Sequence, residues 1–193
     1  MARTSGARPD LDLSSKVCFY GEAASGKSDL VESLAHRAHP RALLESLGTR
    51  TASTNLSYEL PRRKAPLLVQ HHLELYELSS DRNLVKARGL FAKGAAASVV
   101  VARGSDFVEP ERFWASTARA LNPEVPLFLW DLGSGAGGVE TTALAREFRA
   151  VLLRAAPGDP EARATALRRL SETVCHRWLD ARGQPKPRRR GRR

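Results

Sequence analysis

Eight consecutive residues, from Gly21 to Ser28, have the spacing Gly-x-x-x-x-Gly-Lys-Ser, which places glycines, a lysine and a hydroxyl at fixed separations. Because Gly21 and Gly26 lack side chains, the backbone can approach an anion closely, and successive N–H groups can converge on phosphate oxygens. Lys27 would place its ammonium group on the terminal phosphates, and Ser28 would offer its hydroxyl to Mg²⁺. The motif therefore predicts a site for a phosphate chain and its metal. The alternative for Lys27 alone is a solvated surface lysine.

Residues on either side of this motif predict the elements that would hold it in place. Lys16 to Tyr20 form a short apolar run typical of a strand, and residues 29–38 place Leu30 and Leu34 on one helical face. A phosphate loop between a strand and a helix directs the positive end of the helix dipole at the anion. The predicted phosphate-binding residues are Gly21, Glu22, Ala23, Ala24, Ser25, Gly26, Lys27 and Ser28.

Length and composition predict one domain in the cytoplasm. With 193 residues and 42% hydrophobic content, the chain suffices for one core but not for two large domains. It has no apolar run of about eighteen residues and no apolar leader at its start, which argues against a membrane span or a signal peptide. Cys18 and Cys175 are far apart and lie in apolar patterns, so we expect buried free thiols rather than a disulfide or a metal site.

The net charge of +10 is concentrated at the carboxyl end. Residues 181–193 contain seven basic side chains and no acidic one, whereas the rest of the chain has 24 basic against 21 acidic residues. Glycines and prolines interrupt this segment, which predicts a disordered basic tail. The tail would contact an anionic partner or a membrane surface, or would act only as a solubilising segment. Because no aromatic residue lies among the arginines, we predict no specific nucleic-acid recognition.

Apolar patterns between the motif and the tail alternate between strands and helices. A polar stretch from Glu45 to Thr54 predicts a mobile loop, and two consecutive strands at residues 55–60 and 67–78 predict a hairpin. Further strands are predicted at residues 97–102, 125–130 and 148–155, and helices at residues 82–93, from 110 onward and at 160–180. This order predicts an α/β fold, with a mostly parallel, doubly wound sheet, one antiparallel strand pair, helices on both faces and ligands at the carboxyl ends of the strands.

Together these features resemble the Ras-like small GTPases, and within them the bacterial gliding-motility and polarity GTPases of the MglA type. The resemblance extends from Lys16 to about Trp130, and it rests on the phosphate loop, the polar loop with threonines, the two-strand hairpin and the turn and helix that follow. It implies a P-loop NTPase fold over residues 15–180, preceded by a flexible segment at residues 1–14.

The resemblance also implies a switch that binds Mg²⁺ with GTP or GDP, and whose two loops change conformation when the γ-phosphate is lost. It implies that Thr54, in the first of these loops, contacts the metal during catalysis, although Thr49 and Thr51 are alternative hydroxyls. Glu77 would reach a metal-bound water at the end of a strand, or would be an ordinary acidic strand residue. Effector proteins and a GTPase-activating partner are the implied protein partners.

The chain departs from the family pattern where hydrolysis would occur. Ser80 stands where the family has a glycine, and Asp81 replaces the glutamine that orients the attacking water, which makes Asp81 the candidate catalytic residue there. Ser53 replaces an intrinsic arginine, for which Arg50 or Arg82 would have to substitute. Hydrolysis by the chain alone should therefore be slow or absent.

The base-reading motif of the family, Asn-Lys-x-Asp, does not occur after Trp130. Asp131 is the remaining candidate to contact the guanine edge, and its alternative is a capping aspartate in a glycine-rich turn. Three hypotheses follow: a divergent GTPase switch with weak hydrolysis, a catalytically inactive pseudo-GTPase that acts as an interaction module, and a small ATP-using P-loop protein. The residues thus predict nucleotide binding and leave the base open.

Overall fold

Seven strands form a single mixed sheet at the centre of the fold. The computed structural model describes residues 8–38, 48–62, 65–103, 108–133, 138–156 and 158–183. The strands are β1 (Leu11–Tyr20), β2 (Arg37–Ala38), β3 (Arg50–Leu60), β4 (Leu67–Glu77), β5 (Ala97–Ala102), β6 (Leu127–Asp131) and β7 (Val151–Arg154). Their order across the sheet is β2-β3-β4-β1-β5-β6-β7.

Parallel pairing dominates this sheet. β1 lies between β4 and β5 and is parallel to both, and the pairs β5–β6 and β6–β7 are also parallel. The hairpin of β3 and β4 supplies the predicted antiparallel pair, and the two-residue β2 adds a second one at the edge of the sheet. The α/β class and the mostly parallel sheet predicted from the sequence are therefore confirmed.

Helices cover both faces of the sheet. They are α1 (Lys27–Leu34), α2 (Val85–Ala92), α3 (Glu109–Leu121), α4 (Gly138–Glu147) and α5 (Pro160–Gly183), with a 3₁₀ turn at Arg82–Leu84 before α2. Along β1, Val17 and Phe19 belong to the core layer shared with α1 and α5, whereas Cys18 and Tyr20 belong to the layer shared with α2, α3 and α4. This alternation follows from the two-residue period of a strand, and it explains why the last four residues of β1, Val17 to Tyr20, are all buried.

Two simpler expectations concern the thiols and the membrane. Cys18 and Cys175 are both buried and free, as predicted. Across the described ranges, no helix combines the length and the apolar character that crossing a membrane requires.

The differences from the expected element boundaries that bear on the site lie in β3, β1 and α1. β3 begins at Arg50, so residues 50–54 belong to a strand and not to the predicted mobile loop, because all five pair with β4 and two of them, Ala52 and Ser53, also pair with β2. β1 begins at Leu11 and takes residues 11–14 into the sheet, because they pair with β4. α1 ends at Leu34, and the last part of the predicted helix contributes β2 instead.

The sequence patterns did not predict α4, which follows the glycine-rich segment after β6. The helix buries Thr141, Leu144 and Ala145, so its apolar stripe is short and includes a polar residue. Such a stripe does not stand out by periodicity alone. Residues 45–47 of the predicted loop and residues 184–193 of the predicted tail lie outside the described residues.

A buried polar network joins α5 to the sheet. The imidazole of His71, on β4, is fully buried; its Nδ1 lies 2.7 Å from Ser171 Oγ on α5, and its Nε2 lies 2.9 Å from Ser15 Oγ on β1. Ser171 Oγ also lies 2.8 Å from the hydroxyl of Tyr58 on β3. Because burial, and to a smaller extent His72, disfavours the charged ring, the pKa of His71 is lowered to about 4.

We expect the stability of the protein to fall between pH 6.5 and pH 4 because of His71. Above pH 6.5 the ring is neutral in both the folded and the unfolded chain, and its contribution to stability is complete. As the pH falls toward 4, the unfolded chain takes up a proton that the folded chain excludes. The loss should reach about 3 kcal/mol, measured by urea unfolding over this pH range.

His72 provides the matched control, because this neighbouring histidine bonds to Asn55 at 2.8 Å near the surface. His72→Gln should leave most of the pH dependence in place. In an NMR titration of the parent protein, His71 should stay neutral down to about pH 5. Titration of His71 near pH 6.5 would contradict the prediction.

Candidate phosphate-binding site

The carboxyl ends of β1 and β4 lie side by side, and they bring two loops together. Phe19 on β1 pairs with Glu77 on β4 near the end of both strands. Because the two strands are parallel, the loops that follow them emerge at the same edge of the sheet. The first, residues 21–26, leads into α1, and the second, residues 78–81, leads through the 3₁₀ turn into α2.

Two glycines shape the first of these loops. Gly26 precedes α1 with a φ of +80°, in the left-handed region that side chains disfavour, and it turns the chain into the helix. At Gly21, a Cβ atom would lie 2.7 Å from Ser25 Oγ and 3.3 Å from the carbonyl oxygen of Val101. Both positions therefore favour glycine, one because of its backbone angle and the other because of its surroundings.

Lys27 is the first residue of α1, and its ammonium group is buried between the two loops. The residue is 3% exposed, which is inconsistent with a solvated surface lysine. Its Nζ donates to the carbonyl oxygens of Gly21 at 3.2 Å and Leu78 at 2.6 Å, and to Ser80 Oγ at 2.9 Å. Burial lowers the pKa of Lys27 to about 8, and nearby carboxylates oppose the shift.

A hydroxyl and a carboxylate meet beside Lys27. Ser28 Oγ donates to Glu77 Oε1 at 2.6 Å, and Glu77, at the end of β4, is buried. Both are oxygen ligands of the kind that Mg²⁺ prefers, and this ion often takes only one or two protein ligands because phosphate oxygens and water complete its shell. Within the described residues, no group of three or more His, Cys, Asp and Glu side chains is arranged to hold a metal ion. The donor set therefore fits a phosphate-bound Mg²⁺ rather than an all-protein metal site.

A cleft of about 740 Å³ opens beside these groups. Besides Lys27, Ser28 and Glu77, its walls include Ala23 and Ser80. The walls come from the loop after β1, the start of β3 and the segment after β4, so a molecule bound in the cleft would contact all three parts of the chain.

Arg50 is one of the two arginines considered from the sequence, and it lines this cleft. It begins β3 directly opposite Glu77, and its guanidinium lies 3.7 Å from the carboxylate of Glu32 on α1. Its side chain is 62% exposed, which leaves it free to move toward a bound group. Arg82, the other arginine, instead forms an ion pair with Glu22 in the loop after β1.

Thr54 lies away from the cleft, contrary to the expectation that it contacts the metal. It is fully buried in β3, where it pairs with Leu73, and its Oγ1 lies 2.6 Å from His36 Nδ1. Strand geometry places it about 13 Å from Arg50 along β3. Thr54 has this position because β4 holds in the sheet the segment that was interpreted as a loop. Of the alternative hydroxyls, Thr49 is buried, and its two neighbours in sequence, Gly48 and Arg50, line the cleft.

Two further candidate side chains bond to their own loops. Asp81 is exposed, and its Oδ1 accepts a hydrogen bond from the N–H of Asn83 at 2.9 Å, which starts the 3₁₀ turn. Asp131 Oδ1 accepts a hydrogen bond from the N–H of Gly133 at 2.9 Å, after the end of β6. For Asp131 this is the capping contact that was the alternative to guanine recognition. Residues 134–137 of the glycine-rich turn are outside the described residues.

Arg88 fixes the segment after β4, a role that sequence reasoning missed. The residue is 1% exposed, and its guanidinium donates to the carbonyl oxygens of Ser79, Asp81 and Arg82. The same group lies 4.9 Å from the ring centre of Trp114 on α3. A buried cation bonded to three carbonyl groups holds the backbone in one shape. The signal in the sequence is an arginine among the apolar residues of α2, which periodicity does not single out.

No family model and no curated protein matches the chain. Architecture by itself does not define an activity, because one fold supports many functions. The residues around Lys27 and the Ser28–Glu77 pair therefore provide the basis for assigning a function.

We expect Gly26→Ala to lower the free energy of unfolding by about 1–2 kcal/mol, because alanine is disfavoured in the left-handed region. Its Cβ would also lie 3.0 Å from Leu132 Cδ1. Gly94→Ala is the matched control, since Gly94 has a φ of +76° and no described atom lies within 4 Å of the added Cβ. Urea unfolding would measure both costs.

The two glycine variants should differ in ligand binding. Gly26→Ala should weaken the binding of Mg²⁺–pyrophosphate in calorimetry, because it distorts the loop that leads into α1. Gly94→Ala should bind like the parent protein. Equal binding by both variants would contradict the assignment of this loop to phosphate.

Proposed function

We propose that the chain binds a Mg²⁺–nucleotide, GTP or GDP, through its phosphate groups and acts as a molecular switch for partner proteins. The observation that carries the proposal is the arrangement of Lys27, Ser28 and Glu77 around one cleft at the carboxyl ends of β1 and β4. The proposal includes a P-loop NTPase fold of small-GTPase type, most similar to the MglA type. The order of strands and helices supports it.

In this proposal Lys27 supplies positive charge to the terminal phosphates. An ammonium group has three protons to donate, and charged phosphate oxygens are stronger acceptors than the neutral oxygens that Lys27 contacts. The positive end of the α1 dipole adds to the same attraction. Charge, rather than apolar burial, would therefore provide most of the affinity.

Ser28 and Glu77 are the residues that would hold Mg²⁺, which when bound neutralises part of the charge on the phosphate chain. Their oxygen atoms lie 2.6 Å apart, so both are already at one place at the edge of the cleft. Lys27 is their neighbour in space and contacts the segment that continues from Glu77. A phosphate chain and its ion would thus be bound by adjacent residues.

The base is the less constrained part of the proposal. Guanine is proposed because of the resemblance to small GTPases, and Asp131 is the residue proposed to contact it. Asp131 would have to exchange its bond to Gly133 for the base. Adenine is the alternative, and it would make the chain a small ATP-using P-loop protein.

Hydrolysis is proposed to be slow without a partner. Asp81 bonds to Asn83 and would have to leave that turn to approach an attacking water. Arg50 lines the cleft and is the arginine proposed to approach the γ-phosphate. A GTPase-activating partner would supply what the chain lacks.

A pseudo-GTPase is the second candidate function, in which the fold acts as an interaction module without turnover. The observation that favours it is the fixed segment after β4, whose backbone is bonded to the buried Arg88. A segment held in this way presents a constant surface to a protein partner. In either function, the basic residues of the tail are proposed to contact an anionic partner or a membrane surface.

Lys27→Met keeps much of the side-chain length and removes the charge. We expect it to weaken binding of Mg²⁺–GTP by about 100-fold, because a charged hydrogen bond contributes roughly 1.5–3 kcal/mol. Calorimetry with GTP, GDP, ATP and pyrophosphate would measure the loss and would separate phosphate binding from base selection.

Lys86→Met is the control for Lys27→Met, because Lys86 is an exposed lysine on α2. Its affinity should equal that of the parent protein. Equal affinity of Lys27→Met and the parent would contradict the proposed site, and so would the absence of any nucleotide binding by the parent at about millimolar concentration.

Single-turnover assays with GTP would distinguish the two candidate functions. The parent should hydrolyse GTP slowly, and Arg50→Ala should reduce the rate by about tenfold or more, since an arginine at the γ-phosphate is worth roughly 10³–10⁵ when fully engaged. Arg146→Ala, an exposed arginine on α4, is the control. Hydrolysis by the parent no faster than by Lys27→Met would favour the interaction module.

A further inference from the structure

We propose that Ser80 regulates the phosphate site as a strap, a side chain that spans the two loops and competes with phosphate for Lys27. The inference rests on the proposed function, because it describes the regulation of the same site. It is carried by the hydrogen bonds of one hydroxyl group, which sits where the two loops meet.

The ammonium group of Lys27 has as many acceptors as protons. It donates to one carbonyl oxygen of the loop after β1, at Gly21, and to two oxygens of the segment after β4, at Leu78 and Ser80. Three protons are all that a lysine carries. A phosphate oxygen can therefore accept a hydrogen bond from Lys27 only when one of these three hydrogen bonds is broken.

Ser80 links the segment after β4 to the loop after β1. Its Oγ accepts from Lys27 at 2.9 Å and donates to the carbonyl oxygen of Gly21 at 2.8 Å. One hydroxyl thus connects the segment after β4 to both the backbone and the lysine of the phosphate loop. Ser80 also lines the cleft itself, as Lys27 does.

Of the two contacts from the segment after β4, the one made by Ser80 is the one that can move. Leu78 is held against β1, because its N–H donates to the carbonyl oxygen of Phe19 at 3.0 Å, so its own carbonyl stays in place. The contact of Ser80 depends on a side-chain rotation alone, and rotamers interconvert quickly. Phosphate would therefore displace the Ser80 hydroxyl and leave the Leu78 contact intact.

A side chain without a hydroxyl at position 80 would leave one N–H group of the Lys27 ammonium without a hydrogen-bond acceptor. The fraction of molecules ready to bind phosphate would rise, and the apparent affinity would rise with it. The strap therefore lowers affinity in the free protein and opens on binding. A partner that moves Ser80 would raise affinity in the same way.

The test compares Ser80→Ala with Ser79→Ala in the full chain. We expect Ser80→Ala to bind Mg²⁺–pyrophosphate and Mg²⁺–GTP roughly tenfold more tightly than the parent, the worth of one hydrogen bond to a charged group. Stopped-flow measurements should assign the gain to faster association. Ser79→Ala is the matched control, because Ser79 Oγ accepts from the N–H of Asp81 at 3.1 Å; its affinity should match the parent within about twofold.

Ser80→Thr completes the series, because it retains the hydroxyl and should restore binding to the parent level. If the parent binds and Ser80→Ala binds no more tightly, the strap is refuted and the proposed function stands. If Ser80→Thr binds as tightly as Ser80→Ala, the hydroxyl is not the cause and the strap is likewise refuted. If neither the parent nor Ser80→Ala binds pyrophosphate or nucleotide at all, the proposed function itself is overturned.

Discussion

A buried ammonium group is the interaction on which the rest of the site depends. Removing a charge from water costs several kcal/mol unless the charge is paired and hydrogen-bonded, so Lys27 constrains every group around it. Its acceptors belong to two loops that are distant in sequence, and the parallel neighbours β1 and β4 bring those loops to one edge of the sheet. The carboxylates of Glu77 and Glu22 favour the charged form and oppose the effect of burial on its pKa. The pairing of β1 with β4 thus supplies the hydrogen-bond acceptors that the buried charge of Lys27 requires.

The segment after β4 meets a second buried cation on its way to α2. Lys27 donates a hydrogen bond to the carbonyl oxygen of Leu78. Arg88 donates hydrogen bonds to the carbonyl oxygens of Ser79, Asp81 and Arg82. A stretch without regular secondary structure normally satisfies its backbone with water, because buried carbonyl groups without partners are costly. In this protein two basic side chains donate to four carbonyl oxygens of the segment and hold it against the rest of the fold.

Sequence reasoning predicted the loop between β1 and α1 because its geometry is local: a few residues between one strand and one helix determine it. It assigned Thr54 to a loop wrongly, because the position of that residue depends on the pairing of β3 with β4, and this pairing begins at Arg50. Register between strands is set by the whole hairpin and is not visible in a short polar stretch. The bonds of Arg88 could not be predicted for a related reason, since its partners are backbone carbonyl groups, which have no sequence signature. The parts that could be predicted are those in which neighbours in sequence are also neighbours in space.

The two buried cations allow different kinds of movement, and this limits what a conformational switch in this protein would involve. The bonds of Arg88 all reach backbone oxygens, so breaking them would move the main chain and uncover a charge beside Trp114. The Lys27–Ser80 contact involves a side-chain hydroxyl that can rotate away without any movement of the main chain. The ion pair between Arg82 and Glu22 is partly exposed and is worth little. Side-chain rotations would therefore occur on the face of the segment toward Lys27, while Arg88 holds the backbone of the segment in place. Signalling by such a surface would depend on which side chains face outward rather than on refolding of the loop.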